Sequence, residues 1–338
     1  MTDVRNNDRA LPSRRAALKA GLTMGLAGLL LPTFTACTPE DRPRTLTVAG
    51  GEPGGFYLEF ATLLADLLRR QGVAGNAVPL TTAGSLENMD RLLTGEATFA
   101  IALADAAAQQ ASAQEPSAGA GRIVALGKVY ENYVHCIVRK NSGIRTFSDL
   151  AGKTAAIGDV GSGTSLTAHR LIAASGLSTA NATAAGQSLK EVNLGLNQGL
   201  AALRDGSVDA LFWSGGVPTA AITAANKDVG LGFIDLSALI PATRTHYGAF
   251  YDRVLIPANG YEGTPAVWTV GVANLLLCRS DLAEPIVTRT VELLVGNAQE
   301  LIPRSSMGVQ FLSPETLINT AGVPLHPAAA AAYRTLHG

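Results

Sequence analysis

The sequence predicts an α/β protein of two similar lobes, joined by hinge strands across a central cleft. Three observations carry that expectation. Short apolar runs alternate with helical patterns, several of those runs end in glycine-bearing turns that open a helix, and the same construction recurs in both halves of the chain.

The 338-residue chain opens with Ser13-Arg14-Arg15 followed by an apolar run over 20–34, the pattern of a twin-arginine export signal. A permanent membrane helix needs about 20 apolar residues. This run is shorter and carries glycines and Pro32, so it reads as a leader. Phe34-Thr35-Ala36-Cys37 then resembles a bacterial lipobox, which makes Cys37 the expected lipidation site and first mature residue. The alternative is cleavage near Ala36 beside an incidental cysteine. Residues 38–44 hold two prolines and four charges and are expected to form an exposed tether.

Five basic residues (Arg5, Arg9, Arg14, Arg15, Lys19) and two acidic ones (Asp3, Asp8) leave with the leader, which takes the formal charge from −1 to −4. A mildly acidic body without a basic stripe excludes nucleic acid as a partner. Apart from Cys37 there are only Cys136 and Cys278, too few for a disulfide scaffold even where export permits one. The two sit in strands expected to run side by side, and two separate buried thiols are the favoured reading over a bond.

Globular sequence starts at residue 45. Strand 46–49 runs into glycines 50, 51, 54 and 55, and a helix follows with Phe60, Leu63, Leu64, Leu67 and Leu68 on one face. The unit repeats as strand 78–82 with a helix through Leu92 and Leu93, and as strand 99–103 with an alanine-rich helix; a fourth strand covers 123–126. Residues 106–122 read as a helix end and a solvated loop. A second set starts at the apolar stretch 134–139. It continues through strand 154–157, turn 158–163 and helix 164–174, then a helix ending at Gly206 and strand 209–213. The turn Gly215-Gly216-Val217-Pro218 opens a further helix with proline near its first position. Residues 268–278 form a returning strand, and 282–301 an amphipathic helix. The expected organisation is therefore lobe 1 over 45–133, lobe 2 over 134–268, and a return with C-terminal helices on lobe 1 over 269–338. Such sheets are expected to be largely parallel and to bind ligands at the carboxyl ends of their strands.

Three turns stand at those ends: 51–57, with Gly54, Gly55, Phe56 and Tyr57 as the contact candidates; 83–88, with Ser85 and Asn88; and 161–165, with Ser162, Gly163, Thr164 and Ser165. Backbone N–H groups at helix starts are unpaired, glycine lets a ligand approach them, and the helix dipole favours negative charge. Each turn alone is more often a plain cap, with Ser85 or Ser162 serving its own helix. Three turns split between two lobes favour a binding cleft. Residues 158–165 nearly spell a phosphate loop, but Thr164 stands where the lysine belongs, which leaves a nest for a smaller anion. Among Phe56, Tyr57, Tyr130, Tyr133, Trp213 and Trp268, Tyr57 and Trp213 are the best candidates to wall the cleft, with Gly216 beside Trp213. Lys128, His135, His169 and Arg244 are available to pair with an anion, although a histidine in an apolar strand such as His135 is usually a core group.

No G-x-S-x-G, H-E-x-x-H or C-x-x-C pattern occurs, and the five histidines are scattered singly. The expectation is therefore a protein that is not an enzyme and uses no cofactor or metal.

At these same turns the sequence resembles the periplasmic solute receptors of the TAXI branch of TRAP transporters. The resemblance runs from about residue 46 to 301. It rests on Gly-Gly-Phe-Tyr at 54–57, Gly-Ser-Leu-Glu-Asn at 84–88, Tyr133-Val134-His135, Asp-Leu-Ala-Gly-Lys at 149–153, Gly-Ser-Gly-Thr at 161–164, Asp-Ala-Leu-Phe at 209–212 and Gly-Gly-Val-Pro at 215–218. It implies a type II periplasmic-binding fold and an integral membrane transporter as partner. It also implies a small carboxylate or amino acid as ligand, such as glutamate, glutamine or 2-oxoglutarate, touched by the turns at 54–57, 85–88 and 162–164. Members often carry arginine where this chain has Ser165, and Tyr-Pro-Glu where it has Tyr130-Glu131-Asn132. If that arginine neutralises a carboxylate, this chain takes a less charged ligand. The competing readings are the binding lipoprotein of an ATP-driven importer, a periplasmic sensor module, and an enzyme on the same fold, such as relatives of the pyrimidine synthase of thiamine biosynthesis.

Overall fold

The computed structural model describes residues 45–113, 121–177, 188–303, 306–308 and 310–337. The expected leader, the tether, Cys37 and part of the solvated loop lie outside them. The fold described is that of the unit Arg42–Gly338.

The first half builds β1 (Leu46–Ala49), α1 (Phe56–Arg70), β2 (Ala77–Leu80), α2 (Ser85–Thr94), β3 (Phe99–Leu103) and α3 (Ala104–Ala113). Then comes β4 (Ile123–Arg139), a single strand of 17 residues where the sequence had indicated two shorter ones. Gly127, Lys128, Glu131 and Asn132 interrupt its apolar pattern, yet all but Lys128 are buried where β10 runs alongside them. At about 3.3 Å per residue it is roughly 55 Å long and crosses both halves of the molecule.

The second half contains β5 (Thr154–Ala156), α4 (Gly163–Ser175), β6 (Lys190–Val192), α5 (Leu196–Asp205), β7 (Ala210–Gly215), α6 (Ala220–Val229), β8 (Leu231–Phe233) and α7 (Ile240–Tyr247). The chain returns through β9 (Tyr251–Ile256) and β10 (Val267–Arg279) and ends with α8 (Glu284–Gly296), α9 (Pro314–Leu317) and α10 (Pro327–His337). Helix α6 begins at Ala220 with Thr219 as its N-cap, so Pro218, in a cis peptide with Val217, lies ahead of the helix and not at its first position.

All ten strands form one sheet, ordered β2-β1-β3-β10-β4-β7-β5-β6, with β8 on β4 and β9 on β10. Both flanks are parallel, β2-β1-β3 on one side and β7-β5-β6 on the other. The centre is antiparallel, because β10 and β4 run against each other and against the flanks. The protein is thus a mixed α/β fold of the periplasmic-binding type, with two parallel lobes joined by crossing strands.

Packing follows the helical faces. Phe60, Leu64, Leu67 and Leu68 of α1 are fully buried in a cluster with Val287 and Val291 of α8 and Ala329 and Tyr333 of α10. Each such large side chain contributes about 1.5–3 kcal/mol. Leu200 and Leu203 of α5 pack with Leu211, Trp213 and Ile222 in a cluster on the second lobe. Cys136 and Cys278 are both buried free thiols. Their strands do lie side by side, but Cys278 is opposite Val124, at the far end of β4 from Cys136. Twelve strand residues, roughly 40 Å, separate them, which rules out a bond between them.

Candidate functional site

The turns β1–α1, β2–α2 and β5–α4 all leave the carboxyl ends of parallel strands, and the structure brings them to one small hollow. Its lining is Gly51, Glu52, Gly55, Tyr57, Ala83, Gly84, Ser85, Leu103, Asn132, Ser162, Gly163, Thr164, Trp213 and Ser214. The first eight come from the first lobe, Asn132 from the crossing strand β4, and the rest from the second lobe.

The lobes touch at this mouth. The Gly161 carbonyl accepts from the N–H groups of Leu86 and Glu87 at 3.0 and 3.2 Å, so the N-terminus of α2 is capped by the opposite lobe. Glu52 Oε2 accepts the Leu196 N–H at the start of α5 at 2.7 Å, and Asn197 Nδ2 donates to the Pro53 carbonyl at 3.0 Å. Gly163 is required by this approach: a Cβ there would lie 2.4 Å from Ser85 Oγ and 2.8 Å from Leu103 Cδ1. Gly84, at φ +125°, takes a backbone conformation that side chains strain.

Most hydroxyls here are engaged within the protein. Ser162 is the N-cap of α4, its Oγ accepting the Ser165 N–H at 3.0 Å. Ser85 Oγ accepts the Leu103 N–H at 3.1 Å, and Tyr57 donates its hydroxyl to Asn274 Oδ1. Thr164 Oγ1 accepts the Ser214 N–H at 3.1 Å. Trp213 Nε1 donates to Thr219 Oγ1 at 3.1 Å, and the Thr219 N–H reaches Tyr261 Oη at 3.1 Å. Among the described residues, the N–H groups of Ser85, Gly163 and Thr164 have no acceptor. Three amide donors at two opposed helix starts are what a small anion needs.

The opposite polarity is present too. Asn132 is buried on the wall of the hollow; its Nδ2 donates to Ser214 Oγ at 3.3 Å, while its Oδ1 has no partner. Burial, together with the nearby Asp159, raises the Glu52 carboxyl above the usual range even though the Leu196 N–H counters it. Among the described residues, no lysine, arginine or histidine lines the hollow.

Of the residues singled out from sequence, Gly55, Tyr57, Ser85, Ser162, Gly163, Thr164 and Trp213 lie on the hollow. Five do not. Phe56 packs against Tyr130 beneath the turn, with ring centroids 4.8 Å apart, and Gly216 lies against Phe56. Gly54 faces Ala221, and Ser165 Oγ accepts from Asn193 Nδ2 at 3.2 Å. Asn88 is wholly buried; its amide ties α2 to the carbonyls of Gly50 and Ile101 at 2.6 and 2.8 Å.

None of the four cationic candidates lines the hollow. Lys128 sits 3.8 Å over the Phe311 ring, His169 pairs with Glu191, and Arg244 pairs with Asp252 at 2.6 Å. His135 is the core group expected of a histidine in an apolar strand. Its Nδ1 lies 2.8 Å from the Tyr133 carbonyl, so it carries the proton, and Tyr261 donates to Nε2 at 2.9 Å. Burial holds its pKa down to about 4. Trp268 is exposed at the edge, stacked with Arg253 at 3.8 Å.

Sequence reasoning missed Gly51, Glu52, Ala83, Gly84, Leu103, Asn132 and Ser214 as lining residues. Gly51, Glu52, Ala83 and Gly84 lay within the turns already singled out, though not among their contact candidates. Asn132 and Ser214 become site residues only through pairing of β4 with β7, which no local pattern reveals.

The model of the NMT1-like family matches residues 48–335, nearly the whole described chain. The chain belongs to the NMT1-like family. The fold of this family member is also that of solved structures at low sequence identity. One is a protein from Bordetella bronchiseptica RB50, 13% identical, TM-score 0.53, covering 88% of this chain and 99% of that one. Another is titled a periplasmic transporter, 11% identical, TM-score 0.50, covering 87% and 96%. Among the described residues, no group of three or more His, Cys, Asp or Glu side chains is placed to hold a metal ion. None of their helices is long and apolar enough to cross a membrane.

Proposed function

We propose that this NMT1-like chain is an extracytoplasmic solute receptor that closes its two lobes on a small ligand and presents it to a membrane transporter. The observation that carries the reading is the convergence of two opposed helix N-termini on one hollow, with the N–H groups of Ser85, Gly163 and Thr164 left without acceptors. Direct lobe-to-lobe contacts at the same place support closure as the working motion. The twelve residues named from sequence remain our candidates for contact or support of the ligand, with Glu52, Asn132 and Ser214 added to them.

The resemblance to TAXI receptors supports an ion-driven TRAP permease as the partner and a small carboxylate or amino acid as the cargo. Cys37 would tether the receptor to the membrane through lipid. Binding to the native state alone raises stability by RT ln(1 + [L]/Kd), about 2.7 kcal/mol at a hundredfold excess over Kd. A thermal-shift panel of amino acids and dicarboxylates is expected to contain a stabilising member, and small-angle scattering is expected to show a more compact particle with it. A panel without any shift would refute the reading.

A further inference from the structure

Among the described residues, the sheet narrows to two strands at one place. On β10, β3 pairs over 274–277 and β9 over 267–272, so Ala273 has neither beside it. On β4, pairing with β7 starts at Tyr133, so Glu131 and Asn132 have only β10 alongside. Glu131 and Ala273 are register partners across this waist. A turn of one lobe against the other is absorbed there, where the fewest strands must move together.

Glu131 reaches across the waist. A Cβ on Gly271 would lie 2.6 Å from Glu131 Oε1 and 2.6 Å from Val254 Cγ1, so the carboxyl rests on bare β10 backbone beside β9, on the second-lobe side. The residue is 4% exposed, and among the described residues Oε1 has no hydrogen-bond partner. An ionised carboxylate is costly in such a place, whereas the neutral acid is tolerated. The titratable and charged groups around it are Lys128 and, on the same strand face, Tyr133 and His135, with Asp252 from β9. The β10 residues beside it and the segment 306–308 bring none. Lys128 is drawn over the Phe311 ring, Asp252 is paired with Arg244, and His135 is bonded to Tyr261. Burial, and then Asp252, push the Glu131 carboxyl up to about 8, with Lys128 working the other way.

Resting on the lobe closure of the receptor reading, we propose that Glu131 is a proton-holding hinge residue. Its carboxyl is protonated while the lobes are shut; parting them at the waist wets it, and one proton passes to solvent. The open form then binds fewer protons than the shut form, so opening becomes easier as pH rises from about 4.5 through 8.

The test is amide hydrogen exchange on the full chain without added ligand, corrected for the intrinsic pH dependence of exchange. The N–H groups of Leu86, Glu87 and Leu196 bond across the mouth, so their protection reads the ratio of shut to open molecules. Between pH 6 and 8 that protection is expected to fall at least about tenfold and at most about 50-fold, the limit for a carboxyl that moves between about 8 and 4.5. The Leu64 amide, in the buried face of α1, is expected to stay far better protected throughout, which separates opening from unfolding. Glu131→Gln keeps the shape without the charge and is expected to hold the mouth amides level with pH. Asp252→Asn removes a like charge and is expected to end the fall at a lower pH. A fall of less than tenfold in the unmodified chain, or an equal fall in Glu131→Gln, would overturn the inference and leave the receptor reading standing, since the ligand panel tests that separately. The unmodified profile decides the matter even if Glu131→Gln does not fold.

Discussion

The two lobes meet in two different ways, and the difference separates what holds the protein together from what closes it. At the mouth the contacts are single hydrogen bonds: the N–H groups of Leu86 and Glu87 on the Gly161 carbonyl, the Leu196 N–H on the Glu52 carboxyl, and the Asn197 amide on the Pro53 carbonyl. Each nets only about 0.5–1.5 kcal/mol, or somewhat more at a carboxylate, because water replaces it on opening. Deeper in, between α3, α4 and β9, the contacts are buried and ionic. Two turns down α4 from Gly163, Arg170 Nη1 donates to Asp105 Oδ2 at 2.7 Å, and Tyr251 of β9 donates its hydroxyl to the same oxygen at 2.9 Å. The Asp105 side chain is fully buried and that of Arg170 nearly so. The mouth is built to part cheaply, whereas the strands and the Asp105 cluster hold the lobes together.

The sharpest way to break this contrast is at Gly163. Valine there would drive its side chain into Ser85 and Leu103 and hold the mouth apart. Gly163→Val is expected to lose ligand-induced stabilisation and compaction altogether, a loss of at least about 100-fold in affinity or about 2.7 kcal/mol. Its melting temperature without ligand should stay close to that of the parent. Thermal shift and scattering on one preparation check both halves of that statement.

Asp105→Ala should do the reverse. It leaves a buried guanidinium without its carboxylate, which costs about 3–5 kcal/mol, so the urea midpoint drops sharply. A midpoint within about 0.5 kcal/mol of the parent would erase the distinction between mouth and strands.

The third test is the pH dependence of stability, because β4 carries two buried groups of opposite sign. Burial lowers His135 to about 4 from the usual 6.5, so the unfolded chain binds the extra proton first. That stability is complete above about pH 6.5 and is lost as pH falls toward 4. Burial, with Asp252 nearby, pushes Glu131 up to about 8, despite Lys128 acting the other way. Its contribution is complete below about pH 4.5 and is lost as pH rises through 8. Each slope is at most about 1.4 kcal/mol per pH unit. Between about pH 4.5 and 6.5 the two slopes cancel, so denaturation midpoints are expected to run level there and to fall as pH rises from 6.5 toward 8 and as it drops below about 4.5. Glu131→Gln should flatten the alkaline limb, and His135→Gln should soften the acid one. A parent curve that stays level from pH 6.5 to 8 would remove Glu131 from this account.

Much of this arrangement was legible in the chain itself. The strand-turn-helix repeats and the three glycine turns need only local signals: apolar periodicity, positive-φ glycines and capping hydroxyls. The unread parts depend on distant partners. Residues 251–256 of β9 carry Asp252 and Arg253 side by side, both exposed, so the strand shows no alternation to read. In β4, Glu131 and Asn132 looked like a break between strands, since nothing local says that β10 covers them. Asn88 and Ser85 stand in the same turn, yet one braces the fold and the other lines the hollow. Only the direction of each side chain off α2 decides that. Phe56 and Gly216 were placed in the cleft because they flank it in sequence; they pack on each other behind it.

The separation of Cys136 and Cys278 along β4 equips the protein with two independent tell-tales. Burial raises both thiols and so suppresses their thiolate, and each sits in a different apolar cluster. An alkylating reagent therefore reports the breathing of one half of the sheet at a time. Whichever sulfur is capped first names the lobe that frays first, without any probe having to be engineered in.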